Sequence, residues 1–141
     1  MRSLAYPERH VYILPFGIDD QARFNQIRNL YAFEIHSFIK NKQKGIGGGI
    51  LVVGLKSELR EASAKSEFKE YVTIEEGIRL AQAIGADAYI ECSAVTGSGV
   101  LEVFQEAALI GMKAHNLMMN KEKEENEGGG ATRSGKRCST K

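Results

Sequence analysis

Apolar residues in this chain follow two rhythms. The runs from Val11 to Phe16 (VYILPF) and from Ile50 to Val53, with Leu55 beyond a glycine (ILVVGL), are short and unbroken, as strands buried on both faces are. Pro15 has no backbone N–H, so it belongs near a strand end or where no ladder partner is needed. Between the runs, Phe24, Ile27, Leu30, Tyr31, Ile35 and Phe38 recur mostly three or four apart. That spacing predicts an amphipathic helix of about five turns, starting at Gln21 after an N-cap at Asp20. Its aromatic stripe is the face packed on the sheet. The following NKQKGIGGG breaks it and reads as a connector, because a phosphate-cradling glycine loop follows a strand and opens a helix.

Beyond Arg60, EASAKSEFKEYV is polar and weakly helical, a surface excursion. Thr73-Ile74-Glu75-Glu76 is a capping box before an apolar face of Ile78, Leu80, Ala81 and Ile84, and Gly85 stands where a C′ glycine ends a helix. Ala88-Tyr89-Ile90-Glu91-Cys92 is a short strand leading into the loop SAVTGSG. A last helix starts near Val100, with Leu101, Phe104, Ala107, Ala108 and Met112 as its expected buried stripe and Leu117, Met118 and Met119 as its apolar end. From residue 120 the chain is nearly devoid of large apolar residues and is expected to be a disordered basic tail, 120–141, behind one α/β domain, 1–119. Strand, helix, strand, helix, strand, helix predicts a three-layer arrangement with a parallel sheet of three strands and helices on both faces. In such sheets ligands bind past the strand ends. Two ends converge here: Leu55-Lys56-Ser57-Glu58 and Cys92-Ser93-Ala94-Val95.

Composition changes this picture little. A chain of 141 residues holds one core of ordinary size, and a net charge of +1 gives no general pull toward nucleic acid. No apolar run approaches the ~18 residues of a membrane span and the start is unlike a signal peptide, so the expectation is a cytoplasmic protein. Cys92 and Cys138 stand in unlike contexts and suggest no disulfide framework. His10, His36 and His115 are scattered, and no metal site is expected.

At the two strand ends the sequence resembles a known family. GILVVGLKSELR is similar to the strand and base-reading loop of Rho-type small GTPases of the Ras superfamily (LVGNKxDLR), and AYIECSAVT to their second base loop (ECSAKT). MRSLAYPERHVYILPFGIDD, TIEEGIRLAQAIGADAYIECSA and SGVLEVFQEA resemble further segments, in family order from about Arg2 to His115. The resemblance implies a partial Ras-like P-loop GTPase fold and a GTP-binding switch that uses GTP/GDP. No GxxxxGK[ST] occurs in the 141 residues. The family's phosphate loop, first-switch threonine and magnesium-holding DxxG turn lie upstream of the matching region, so no catalytic residue is assigned.

The resemblance also assigns a guanine-base site, which is altered here. Leu55 stands where the family asparagine ties the two base loops together. Lys56 matches the lysine whose stem lies along the guanine plane. Glu58 replaces the aspartate that accepts two bonds from the guanine N1 and N2 edge, with one methylene more. Ser93 and the Ala94 backbone N–H match the second loop, and Val95 replaces its lysine. A charge-assisted hydrogen bond lost costs about 1.5 to 3 kcal/mol, or one to two decades of affinity. The strand from Val11 to Phe16 would pair with the strand entering the phosphate loop; unpaired, it offers an open apolar edge to a partner or a second copy. Expected partners are regulators or effectors of Rho-type GTPases, with Leu4-Ala5-Tyr6-Pro7 among the exposed surfaces. Cys138 is fourth from the end behind Arg133, Lys136 and Arg137, as in the C-a-a-X prenylation signal, but Ser139, Thr140 and Lys141 depart from it; membrane association depends on that lipid. The readings are therefore a Rho-like signalling protein with a degenerate base site, or a pseudoGTPase-like binding module or nonfunctional fragment without nucleotide turnover.

Overall fold

The computed structural model of the chain describes residues 9–31, 33–34, 48–62 and 70–128. Both unbroken apolar runs are strands, β1 (Val11–Gly17) and β2 (Gly49–Leu55), and with β3 (Ala88–Cys92) they form a parallel sheet in the order β1-β2-β3. The register pairs Val11 with Gly49, Leu51 with Ala88, and Leu55 with Cys92. The central place of β2 explains its composition. Ile50 and Val52 enter one core with Phe16, Phe24, Leu80 and Ile84, while Leu51 and Val53 enter the other with Val103, Ala107 and Ile110. Burial on both faces leaves no position for a polar side chain. The result is the expected α/β, three-layer partial Ras-like fold.

β1 forms one edge of the sheet, and its hydrogen-bond phase accounts for Pro15. The His10 carbonyl accepts from Gly49 N–H, and Ile18 N–H donates to the Leu55 carbonyl. Carrying that alternation along the register turns the backbone of Tyr12, Leu14 and Phe16 toward β2 and that of Ile13 and Pro15 outward. The proline therefore removes a donor from the outer edge and none from the ladder.

The helices follow local signals. α1 (Gln21–Gln26) starts at Asp20, whose side chain accepts from Arg23 N–H, and passes into one π-helical turn, Ile27–Tyr31. Phe24 and Ile27 are buried as the stripe predicts. Ile35, Phe38 and the connector up to residue 47 lie outside the described residues, as do residues 1–8 with Leu4-Ala5-Tyr6-Pro7. α2 (Glu58–Ala62) is a short helix at the end of β2. α3 (Ile74–Ala83) has the reciprocal capping box, Thr73 accepting from Glu76 N–H and Glu76 from Thr73 N–H, and Gly85 beyond it holds φ 67°. α4 (Val100–Gly128) is the long last helix.

Two expected faces are corrected. On α3 the buried positions are Gly77, Leu80 and Ala81, followed by the buried C-cap Ile84, and Ile78 is exposed. The Tyr89 ring lies against Gly77 where a Cβ would overlap it, so the sheet reads the absence of a side chain. On α4 the buried stripe is Val103, Ala107, Ile110 and Ala114, while Leu101, Phe104 and Met112 are each more than 60% exposed, at 64%, 64% and 62%. The two alanines sit on the buried side, and the bulkier residues stay outside. α4 also runs past Asn120, because Lys121-Glu122-Lys123-Glu124-Glu125 is made of strong helix formers. Residues 129–141, including Cys138, lie outside the described residues.

Candidate functional site

Parallel pairing brings the C-terminal ends of β2 and β3 side by side, Leu55 opposite Cys92. The six positions singled out in the sequence, Leu55, Lys56, Glu58, Ser93, Ala94 and Val95, all lie on the two segments that leave these ends. A backbone bond joins the segments: Ser57 N–H donates to the Cys92 carbonyl at 3.2 Å. The turn after β2 is sharp. Lys56 holds φ 64°, which only this non-glycine residue does among those described, and its carbonyl accepts from Leu59 N–H as α2 begins.

The side chains at this edge are not equivalent. Leu55 is partly exposed and offers no polar atom. Lys56 reaches sideways to the loop after β1, its Nζ lying 3.1 Å from Asp19 Oδ2 and 3.2 Å from Oδ1. Glu58, in the first turn of α2, has its Oε2 sealed from solvent with no hydrogen-bond partner. Burial, reinforced by the Glu58 charge, raises the Cys92 thiol above its ordinary value. Cys92 is thus held as a buried, unreactive thiol.

The loop after β3 is closed on itself. Ser93 is fully buried; its Oγ accepts from Thr96 N–H at 3.1 Å, its N–H donates to the Ser98 carbonyl, and its carbonyl accepts from Gly97 N–H. Gly97 and Gly99 carry φ values of 78° and 72°, and at Gly99 an added Cβ would strike the Glu91 carbonyl oxygen. Ala94 and Val95 stand at the crest, Val95 81% exposed.

Three residues that the sequence reading left without a role fasten this edge. Arg60 grips Glu91 with both terminal nitrogens, at 2.6 and 2.9 Å, and also donates to the Val72 carbonyl at 2.7 Å. Tyr89 Oη donates to Glu91 at 2.7 Å. Burial pushes Glu91 upward, yet the donors Arg60 and Tyr89 outweigh it and hold the carboxyl below its usual range. Burial, aided by the neighbouring carboxylate, raises the Tyr89 phenol. The clamp ties α2, the strand end and the approach to α3 together. The only sequence signal was the pair ELR and AYIEC lying in the two motif segments.

Known proteins match this arrangement over most of the chain. The Ras family model fits residues 1–111. The Rho-related protein racN of Dictyostelium discoideum is 31% identical over 78% of this chain and 48% of its own length. The GTP-binding protein RHO1 of Candida albicans is 32% identical over 87% of this chain and 62% of its own length, and the GTP-binding protein rho1 of Schizosaccharomyces pombe is 35% identical over 82% and 56%. The chain thus spans roughly half to three-fifths of the relatives it matches. Among the described residues, no helix is long and apolar enough to cross a membrane. With the family model covering residues 1–111 and relatives of the Rho type throughout that span, this chain belongs to the Ras family of small GTPases, in its Rho-type branch.

Proposed function

We propose that this chain is a Rho-like signalling module whose guanine-base site is degenerate, and that it acts through contacts with protein regulators or effectors rather than by turning over GTP. The observation that carries the reading is Glu58. An aspartate-type clasp on the guanine N1–H and N2–H edge needs both carboxylate oxygens free to accept, and here Oε2 is sealed. The neighbouring positions do not compensate. Leu55 and Val95 have no polar atom to offer, and Lys56 is engaged by Asp19. The residues present therefore do not fit guanine as a selective base site would. What persists is the frame: the closed Ser93 loop, the Ser57 to Cys92 backbone bond and the Arg60–Glu91 clamp keep the edge in shape.

Base selectivity tests this directly, because it cancels the phosphate contacts. Calorimetric titration with GDP and with ADP should give affinities within about tenfold of one another, since each lost charge-assisted bond removes one to two decades. A preference for GDP of more than about a hundredfold would show a working base site and overturn the reading.

A further inference from the structure

α1 and α3 cover the same face of the sheet, both entering the core of Phe16 and Val52. A groove of about 350 Å³ remains between them. The described residues that line it are Phe24 and Arg28, from α1 and its π-helical turn, and Glu76, Arg79, Leu80 and Ala83 from α3. Within each helix these positions follow one another at steps of one, three or four, so each helix gives the groove one face. Phe24 and Leu80, 7% and 3% exposed, are its apolar floor. Its size is at the small end of ligand pockets, ~300 to 1,000 Å³, with room for a pair of side chains.

The charges lining the groove are not balanced within the chain. One arginine comes from each helix, both are exposed, and among the described residues neither makes an ion pair or a side-chain hydrogen bond. Arg28 has no acidic residue within four positions on either side, and Gln21–Tyr31 carries Arg23 and Arg28 with no acid at all. Arg79 has Glu75 and Glu76 four and three positions before it, but the Glu76 carboxylate is committed to the capping box, its Oε2 accepting from Thr73 N–H at 2.8 Å and from Thr73 Oγ1 at 3.2 Å. Two guanidinium groups thus stand against the single charge of Glu76. The excess of one positive charge suits a carboxylate better than a phosphate monoester, whose charge is about −1.5 to −2 at neutral pH. Guanidinium forks also meet carboxylates with paired N–H donors. A free anion would leave the floor of Phe24 and Leu80 uncovered, so the matching ligand carries an apolar group beside its charge.

We propose that the groove between α1 and α3 is a docking site for an acidic and apolar segment of a protein partner, with a carboxylate held between Arg28 and Arg79 and the neighbouring apolar side chain laid on Phe24 and Leu80. Such docking rests on the reading that the chain acts through protein contacts, and it uses none of the base-edge residues. Base selectivity between GDP and ADP is therefore a separate result, and either can fail alone.

Backbone-amide NMR of the full chain tests it with three probes: an amidated peptide alternating glutamate with leucine and phenylalanine, the same peptide with glutamine for glutamate, and inorganic phosphate. The acidic peptide should move the amide signals of Phe24, Arg28, Arg79 and Leu80 and leave those of Ser93, Ala94 and Val95 in place. Arg28→Gln and Arg79→Gln, at exposed positions, should each weaken its binding about threefold, the worth of one exposed ion pair. The double variant, and the glutamine peptide on the wild type, should each bind about tenfold more weakly, since both pairs are lost. Unmoved signals at about 5 mM acidic peptide would overturn the proposal, because even weak docking registers there. So would equal binding of the glutamine peptide, or equal binding by the double variant. Inorganic phosphate moving the same signals at lower concentration than the peptide would also overturn it, by showing a simple anion site.

Discussion

Replacing Arg60 by Met keeps an unbranched aliphatic stem and deletes the guanidinium donors. Three contacts disappear: the two on Glu91 and the one on the Val72 carbonyl. Glu91 has only 12% of its side chain exposed, so a carboxylate left with the Tyr89 hydroxyl as its remaining side-chain donor is poorly rescued by water, while Arg60 at 31% already shares part of its charge with solvent. A hydrogen bond to a charged group contributes about 1.5 to 3 kcal/mol, and the partial exposure of arginine argues for the lower part of the sum. The expected loss is about 2 to 3 kcal/mol, a large share of the ~5 to 15 kcal/mol typical of a domain. Urea unfolding followed by far-ultraviolet circular dichroism measures it. In a double-mutant cycle, Glu91→Gln should couple to Arg60→Met by about 1 to 2 kcal/mol. Lys56→Met supplies the control: its ion pair with Asp19 has the lysine 56% exposed, and its loss should cost no more than ~0.5 kcal/mol. The reasoning fails if the two methionine variants cost the same, or if the coupling is below ~0.5 kcal/mol.

Acid should act through the same clamp. Glu91 is held below its ordinary pKa, so its contribution to stability is complete above the unfolded value of about 4.3 and is lost as pH falls through the lower folded value. Denaturation midpoints measured between about pH 6 and pH 3 should fall for the wild type and fall less for Arg60→Met. In the loop after β3, Gly97→Ala and Gly99→Ala should separate. Both force a positive φ on alanine, about 1 to 2 kcal/mol, but only Gly99 also drives a Cβ into the Glu91 carbonyl, so it should cost about 2 to 4 kcal/mol in thermal unfolding.

Signals confined to a few neighbouring residues were legible in the sequence. The capping box at Thr73, the C′ glycine at Gly85 and the doubly buried β2 each announce themselves within a short window, and the structure places them as read. The faces of α3 and α4 were not legible, because hydrophobicity counts side chains and these helices approach the sheet partly through small residues. Gly77 accepts the Tyr89 ring and Ala107 and Ala114 lie on the buried side of α4, so Ile78, Leu101, Phe104 and Met112 were assigned to the wrong side. The site divides in the same way. Motif order located Leu55, Lys56, Glu58 and the Ser93 loop on one edge, but the Arg60–Glu91 clamp spans 31 positions and the Lys56–Asp19 contact 37, distances that no local pattern reports. Nor does a sequence tell that one oxygen of Glu58 is turned inward.

That oxygen is the basis of the functional reading, and one comparison interrogates it. Leu55→Asn together with Glu58→Asp returns the tying amide and shortens the carboxylate arm by the one methylene that separates Glu from Asp. GDP titrated calorimetrically into this variant and into the wild type should show the variant binding at least about tenfold more tightly, the equivalent of one charge-assisted bond regained. Equal affinities, or a wild type that already binds GDP tightly and in strong preference to ADP, would contradict the account.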